Sequence, residues 1–184
     1  MVEKYKNTYR ISSARLKKWD YCWNAAYFVT ICTKNKHPYF GQIIAGKMEL
    51  STIGVIADIL LYETKNHLKE IELTEFVIMP NHVHAILIIN NPPVETLHAT
   101  SQSNTEPRIK SPKNNLMASR SPIIRSYKSA VTKHAHRLGY NFVWQSRFHD
   151  HIIRNNESFQ KIQTYIVENP LKWEQDKFYS SVSE

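Results

Sequence analysis

Two runs of β-forming residues separated by only two residues constrain the fold of this chain more than any other feature. The runs are LTEFVIM at 73–79 and HVHAILII at 82–89, and they flank Pro80 and Asn81. A proline beside an asparagine between such runs is typical of a tight turn. The sequence therefore predicts two adjacent antiparallel strands.

The rest of the chain mixes strands with helices. The other expected elements are a strand at 27–33, a hairpin turning at Ala45-Gly46, a helix from Ser51 or Thr52 to about Leu68, a helix from about Pro122 to Leu138, a strand at 142–154, and a helix capped by 155–157 that runs to about Glu168. Hairpins without regular βαβ alternation favour an α+β fold on an antiparallel sheet.

The size and composition favour one globular domain, 1–184. The chain has 184 residues and its longest apolar run, 85–89, is far shorter than a membrane helix requires. The N-terminus lacks a signal-peptide core, so a cytosolic location is expected. Cys22 and Cys32 form no CxxC pair, which argues against a disulfide scaffold or a cysteine zinc site.

The positive charge is concentrated in one stretch. The formal net charge is +8, and residues 105–137 alone contain eight basic residues and one acidic residue. Within it, 91–120 lacks periodicity and is expected to form a flexible basic loop or insertion. A solvated basic face is the ordinary interpretation, but this density suits contact with a phosphate backbone. The candidate DNA contacts are Arg120, Arg125, Lys128, Lys133 and Arg137.

A His-x-His pair is the sharpest chemical feature. On a strand, His82 and His84 point to one face while Val83 points to the other. Two adjacent imidazoles form half of a divalent metal site, although a solvent-facing pair is at least as common for a bare pattern of this kind. His149 and His151 form a second pair on an expected strand, so spacing alone leaves two rivals.

A tyrosine and an asparagine on the last helix are the second chemical feature. Tyr165 and Asn169 are four residues apart and share one helix face. The amide oxygen of Asn169 would suit Mg²⁺ or Mn²⁺ beside two imidazoles. The chain has ten tyrosines, and packing in the core is the usual role of one flanked by isoleucines. Tyr127, which has lysines nearby, is the competing candidate.

These motifs together resemble a known family. MPNHVHAILII resembles the HUH motif (histidine, hydrophobic residue, histidine) of single-tyrosine transposases, and VWQSRFHDHIIRNNESFQKIQTYIVENPLKW is similar to the segment that carries their tyrosine. RLKKWDYCWNAAYFVTICTKNKHPYFG and IIRSYKSAVTKHA resemble the REP-associated tyrosine transposases within that group. The resemblance covers about residues 10–173, except the loop near 91–120, and its motifs occur in the expected order.

The resemblance implies a fold, an activity and a site. The fold would be ferredoxin-like α+β, with a central antiparallel sheet of about four to five strands and helices mainly on one face. The activity would be cleavage and rejoining of hairpin-containing single-stranded DNA through a 5′-phosphotyrosine, by a protein that is often a homodimer. His82 and His84 would bind Mg²⁺ or Mn²⁺, Asn169 would be the third ligand, and Tyr165 the nucleophile. Some relatives have glutamine at the position of Asn169.

Two other functions are compatible with the same residues. A catalytically inactive descendant would bind DNA hairpins without cutting them. A metal hydrolase built on His82 and His84 would use water as its nucleophile and would form no protein–DNA adduct.

Overall fold

The computed structural model describes residues 24–67, 71–90 and 120–179, together with the paired segments 4–5 and 8–9. Most of the expected loop at 91–120 lies outside these residues. The strands are β1 (Lys4–Tyr5), β2 (Thr8–Tyr9), β3 (Ala25–Cys32), β4 (Gly41–Ile44), β5 (Lys47–Leu50), β6 (Ile71–Met79), β7 (His82–Ile89) and β8 (His149–Ile153). The helices are α1 (Thr52–His67), α2 (Arg120–Arg137) and α3 (Asn156–Glu168), and 3₁₀ turns span Lys34–Lys36 and Trp173–Gln175.

The centre of the molecule is a four-stranded antiparallel sheet in the order β6-β7-β3-β8. Between β3 and β6 the chain forms the β4–β5 hairpin and then α1, and α2 lies between β7 and β8. This βαββαβ order, with β3 and β7 in the middle of the sheet, is the ferredoxin-like arrangement. The expected fold class is therefore confirmed, as is the antiparallel turn at Pro80 and Asn81 between β6 and β7.

The hairpin of β4 and β5 also forms where it was expected. Ala45 and Gly46 both have positive φ, at 50° and 74°. Two successive residues of this kind make the turn that matches the twist of a tight hairpin. Ser51 caps the start of α1, since its hydroxyl accepts a hydrogen bond from the backbone N–H of Gly54 at 3.1 Å.

The sheet separates two apolar layers, because successive side chains on a strand point to opposite faces. On β7, Val83, Ala85, Leu87 and Ile89 join the larger core with the buried sides of α1 and α2. Ile86 belongs to the smaller core on the other face, which Ile166 of α3 covers. Two of the three helices thus cover one face, and α3 covers the face to which His82 and His84 belong.

The expected strand at 142–154 is wrong in its first half, since only 149–153 form a strand. Phe142 and Trp144 bury their rings in the larger core, with centroids 4.9 Å apart. Trp144 makes only an isolated bridge to Thr33, and Arg147 adopts a left-handed conformation with φ of 69°. The alternation of apolar residues here reflects packing of rings from an irregular loop, which imitates the pattern of a strand.

No helix among the residues that the structure describes is both long and apolar enough to cross a bilayer.

Candidate active site

His82 and His84 begin β7 directly after the turn, and they are buried under α3 and the segment that follows it. Neither imidazole is exposed to solvent, and the ring centroids are 4.4 Å apart. The interpretation of this pair as solvent-facing is therefore wrong. Val83 between them is fully buried in the larger core, as its alternating position predicts.

Hydrogen bonds orient both imidazoles. Asn81 donates its side-chain N–H to the carbonyl of Phe178 at 2.9 Å, which leaves its amide oxygen 2.8 Å from Nδ1 of His82. That oxygen can only accept, so Nδ1 of His82 carries the proton and Nε2 keeps its lone pair. Nε2 of His82 is buried and has no hydrogen-bond partner in the described part of the chain. Nδ1 of His84 similarly pairs with the hydroxyl of Thr30 at 2.9 Å.

Burial also keeps the two imidazoles neutral. It lowers the pKa of His82 to about 3, and it lowers the pKa of His84 well below its ordinary value, with His82 adding to the effect. Neutral imidazole is the form that binds a metal. The pair is therefore ready to act as ligands near neutral pH without losing a proton.

Tyr165 lies in the last turn of α3 and brings its hydroxyl to this pair. The oxygen is 3.3 Å from Nε2 of His84 and donates a hydrogen bond to Asp176 at 2.8 Å. Tyr165 remains 37% exposed, so a substrate can reach it from solvent. Burial first, and the contact with Asp176 second, raise the pKa of the phenol above its ordinary value. The phenol is therefore protonated at rest.

Asn169 is the C-cap of α3 and is buried beside the same carboxylate. Its side-chain N–H donates to Asp176 at 2.8 Å. Its amide oxygen is buried without a hydrogen-bond partner among the described residues. Since the nitrogen faces a carboxylate, the oxygen is left to accept from a donor or a cation. The four residues that the sequence proposed as ligands and nucleophile thus lie together within one chain.

Tyr127, the competing tyrosine, lies in the larger core on the opposite face of the sheet. It is 3% exposed, and its hydroxyl donates to the backbone carbonyl of Ala57 at 3.1 Å. Burial raises the pKa of this phenol as well. Its lysine neighbours on α2 do not bring it to a cleft, so its role is packing between α1 and α2.

Asp176 is the residue that sequence reasoning missed. Its carboxylate and one ring nitrogen each of His82 and His84 lie within 4.8 Å of one another. It also accepts hydrogen bonds from Tyr165 and Asn169, so it connects the four residues proposed from the sequence. Asp176 belongs to no regular element and has no periodic spacing to the histidines. No local pattern could have singled it out.

The rival pair, His149 and His151, lies exposed on β8 at the edge of the sheet. The register places His149 beside Thr30, which is in turn beside His84, so both pairs belong to the same face. The metal-ligand group found within the described ranges contains His82 and His84 and does not include this pair.

The basic residues of α2 lie on the opposite side of the sheet from the histidines, because α2 packs against the larger core. Arg125, Lys133 and Arg137 are exposed, while the side chain of Arg120 lies outside the described residues. The ammonium of Lys128 is engaged within the chain, where it donates to the carbonyls of Gln145 at 2.7 Å and Arg147 at 3.0 Å. It supports the irregular loop before β8.

Comparisons with known proteins agree with this architecture. No protein-family model matches the chain. An uncharacterized protein of Haemophilus influenzae (strain Rd) is 37% identical over 177 residues, which cover 91% of this chain and 92% of that protein. The solved structure of a REP-associated tyrosine transposase bound to a REP hairpin has a TM-score of 0.57 at 20% identity, covering 91% of this chain and 77% of its own. This chain therefore belongs to the same family as the Haemophilus protein, and it has the fold of the REP-associated tyrosine transposase.

Proposed function

We propose that this chain is a transposase that cleaves and rejoins hairpin-containing single-stranded DNA through a 5′-phosphotyrosine on Tyr165, with Mg²⁺ or Mn²⁺ at His82 and His84. The observation that carries the proposal is the position of the Tyr165 hydroxyl, 3.3 Å from Nε2 of His84 in a pair of buried neutral imidazoles. The related fold solved with a REP hairpin supports hairpin DNA as the partner.

The proposed ligands suit a divalent cation. Nε2 of His82 and the amide oxygen of Asn169 are both buried acceptors without a donor in the described ranges. A buried polar atom of this kind requires a partner, and a cation meets the requirement of both. A hydrogen bond at Nδ1 fixes the orientation of each imidazole, as is usual for metal-binding histidines. The bound metal would polarise the scissile phosphate and stabilise the charge that develops on its oxygens.

Tyr165 carries the covalent step. Its oxygen forms a bond to phosphorus while the bond from phosphorus to the 3′-oxygen breaks. The phenol loses its proton in this step, and the departing strand ends as a 3′-hydroxyl. A second 3′-hydroxyl can reverse the reaction and join strands without ATP, because the phosphotyrosine remains a phosphodiester. The hydrogen bond to Asp176 orients the hydroxyl beside His84.

DNA would contact both sides of the sheet. The cutting residues lie under α3, whereas Arg125, Lys133 and Arg137 lie on α2 across the sheet. A hairpin held at α2 would therefore direct its flanking single strand around a sheet edge to reach Tyr165. The tyrosine comes from the same chain as the histidines, so the proposed reaction needs no helix from a partner. The expected homodimer stays a prediction.

The test is a search for a covalent adduct on denaturing gels, with labelled hairpin-containing oligonucleotides and Mn²⁺ or Mg²⁺. The wild-type chain should form an adduct, and Tyr165→Phe should abolish it. Tyr127→Phe is the matched control, because it removes a hydroxyl of the same kind from the core, and it should retain the adduct. An adduct with Tyr165→Phe would refute the nucleophile. Hairpin binding without any adduct would identify an inactive hairpin-binding protein.

A further inference from the structure

The segment after α3 folds back over the two histidines and holds an acidic side chain against them. The carbonyl of Phe178 accepts from Asn81 at 2.9 Å, and the carbonyl of Lys177 accepts from the ammonium of Lys36 at 2.9 Å. The ring of Phe178 lies 4.5 Å from the ring of His82. These contacts of the two residues that follow Asp176 hold its carboxylate over the site.

We propose that Asp176 is a metal ligand, supplying the single anionic donor to a site that it shares with His82 and His84. This inference rests on the proposed function and extends it to a residue outside the motifs. The three donor atoms lie within 4.8 Å of one another. Donors around an octahedral Mg²⁺ or Mn²⁺ at about 2.1 Å are separated by about 3 to 4 Å, so small side-chain shifts would close the site.

The carboxylate keeps room for a cation despite its hydrogen bonds. One oxygen, Oδ2, accepts from Tyr165 and Asn169, each at 2.8 Å. Among the described residues, the other oxygen, Oδ1, accepts only the backbone N–H of Phe178, at 2.7 Å. A carboxylate oxygen has two lone pairs, so Oδ1 retains one for a metal. Nε2 of His82, which has no hydrogen-bond partner among the described residues, is an acceptor close to this carboxylate. Two acceptors that face each other without a donor between them favour a cation.

Charge gives the physical reason for this ligand. His82, His84 and Asn169 are neutral donors, and the cation would be largely withdrawn from water. An uncompensated charge in such a place is costly. Mg²⁺ and Mn²⁺ prefer carboxylate and carbonyl oxygens to an all-imidazole set. Asp176 meets both requirements, because it adds one negative charge and one oxygen at the histidine pair.

Mn²⁺ binding to the full-length chain without DNA tests this assignment, measured by loss of the electron paramagnetic resonance signal of the free ion. Asp176→Asn preserves the shape of the side chain and removes its charge, and it should weaken Mn²⁺ affinity at least tenfold. Glu174→Gln removes one charge from an exposed position in the same segment and should leave the affinity unchanged. Circular dichroism verifies that each variant is folded.

Tyr165→Phe shows whether metal binding depends on the hydrogen bond that Tyr165 donates to Asp176. If Asp176 only positions the tyrosine, Asp176→Asn will bind Mn²⁺ as the wild-type chain does, and the proposal is refuted. The absence of Mn²⁺ binding by the wild-type chain at millimolar concentration would refute it equally. Tyr165→Phe should form no DNA adduct and yet bind Mn²⁺ normally. The adduct assay on Tyr165→Phe thus tests the nucleophile, and the Mn²⁺ affinity of Asp176→Asn relative to the wild-type chain tests the ligand, so the two assignments fail in different measurements.

Discussion

Mild acid should destabilise this protein through His82 and His84. Both imidazoles are buried and neutral in the fold, with the pKa of His82 lowered to about 3 and that of His84 well below 6.5. In the unfolded chain both return to about 6.5. Below that pH the unfolded state binds two protons that the folded state does not accept, so acidification favours unfolding.

The magnitude follows from these shifts. A group whose pKa is lowered in the fold contributes stability above its unfolded pKa and loses it as the pH falls. Between pH 7.5 and 5.5 each histidine costs about 1.4 kcal/mol, since 5.5 lies about one unit below the unfolded pKa and above the folded one. The free energy of unfolding should therefore fall by about 3 kcal/mol for the pair.

Urea unfolding at the two pH values measures this loss, in buffers with a chelator so that metal does not add stability. His82→Asn should reduce the loss by about half, because one buried imidazole remains. The double variant His149→Ala with His151→Ala is the matched control, since it removes an exposed pair with the same spacing, and it should retain the full loss. An equal free energy of unfolding at both pH values would refute the reasoning.

Three further outcomes follow from the fold. Asn155→Ala should lower the free energy of unfolding by about 1 kcal/mol in urea titration, because the side chain caps α3 by accepting from Ser158 at 2.8 Å. Ile166→Ala should lower it by about 2–5 kcal/mol in the same measurement, since this side chain is 1% exposed. Replacing both Arg125 and Lys133 with glutamine should reduce the salt dependence of hairpin binding, with a slope smaller by about 1.8 in fluorescence anisotropy, because each contact with duplex phosphate contributes about 0.9; an unchanged slope would exclude phosphate contacts there.

The sequence by itself determined the local secondary structure of this protein and which side chains share one face of a strand. The run from 73 to 89 specified an antiparallel hairpin, and its period of two placed Val83 opposite His82 and His84. Caps and breakers are equally local, so Ser51, which caps α1, could be located from residue type alone.

Local patterns did not predict two features of the structure. These are the short strands at 4–5 and 8–9 and the irregular course of the chain at 142–148. Phe142 and Trp144 alternate as a strand would, but their rings pack with Phe40 in the core, with centroids 5.7 Å and 5.4 Å from it. A pattern of apolar residues reports burial, and it does not report whether a ladder of hydrogen bonds forms. The partner that decides the outcome is about a hundred residues away in sequence.

Only the tertiary structure decided how the site is built. Whether His82 and His84 face solvent depends on α3 and the segment after it. These elements cover the histidines in space, although they are far from β7 in sequence. The segment after α3 also brings Asp176 to the histidines, whereas the packing of α2 against α1 holds Tyr127 on the other face. Spacing along a strand or helix can align two side chains, but long-range packing sets which other groups meet them, and so sets burial, charge state and the third donor.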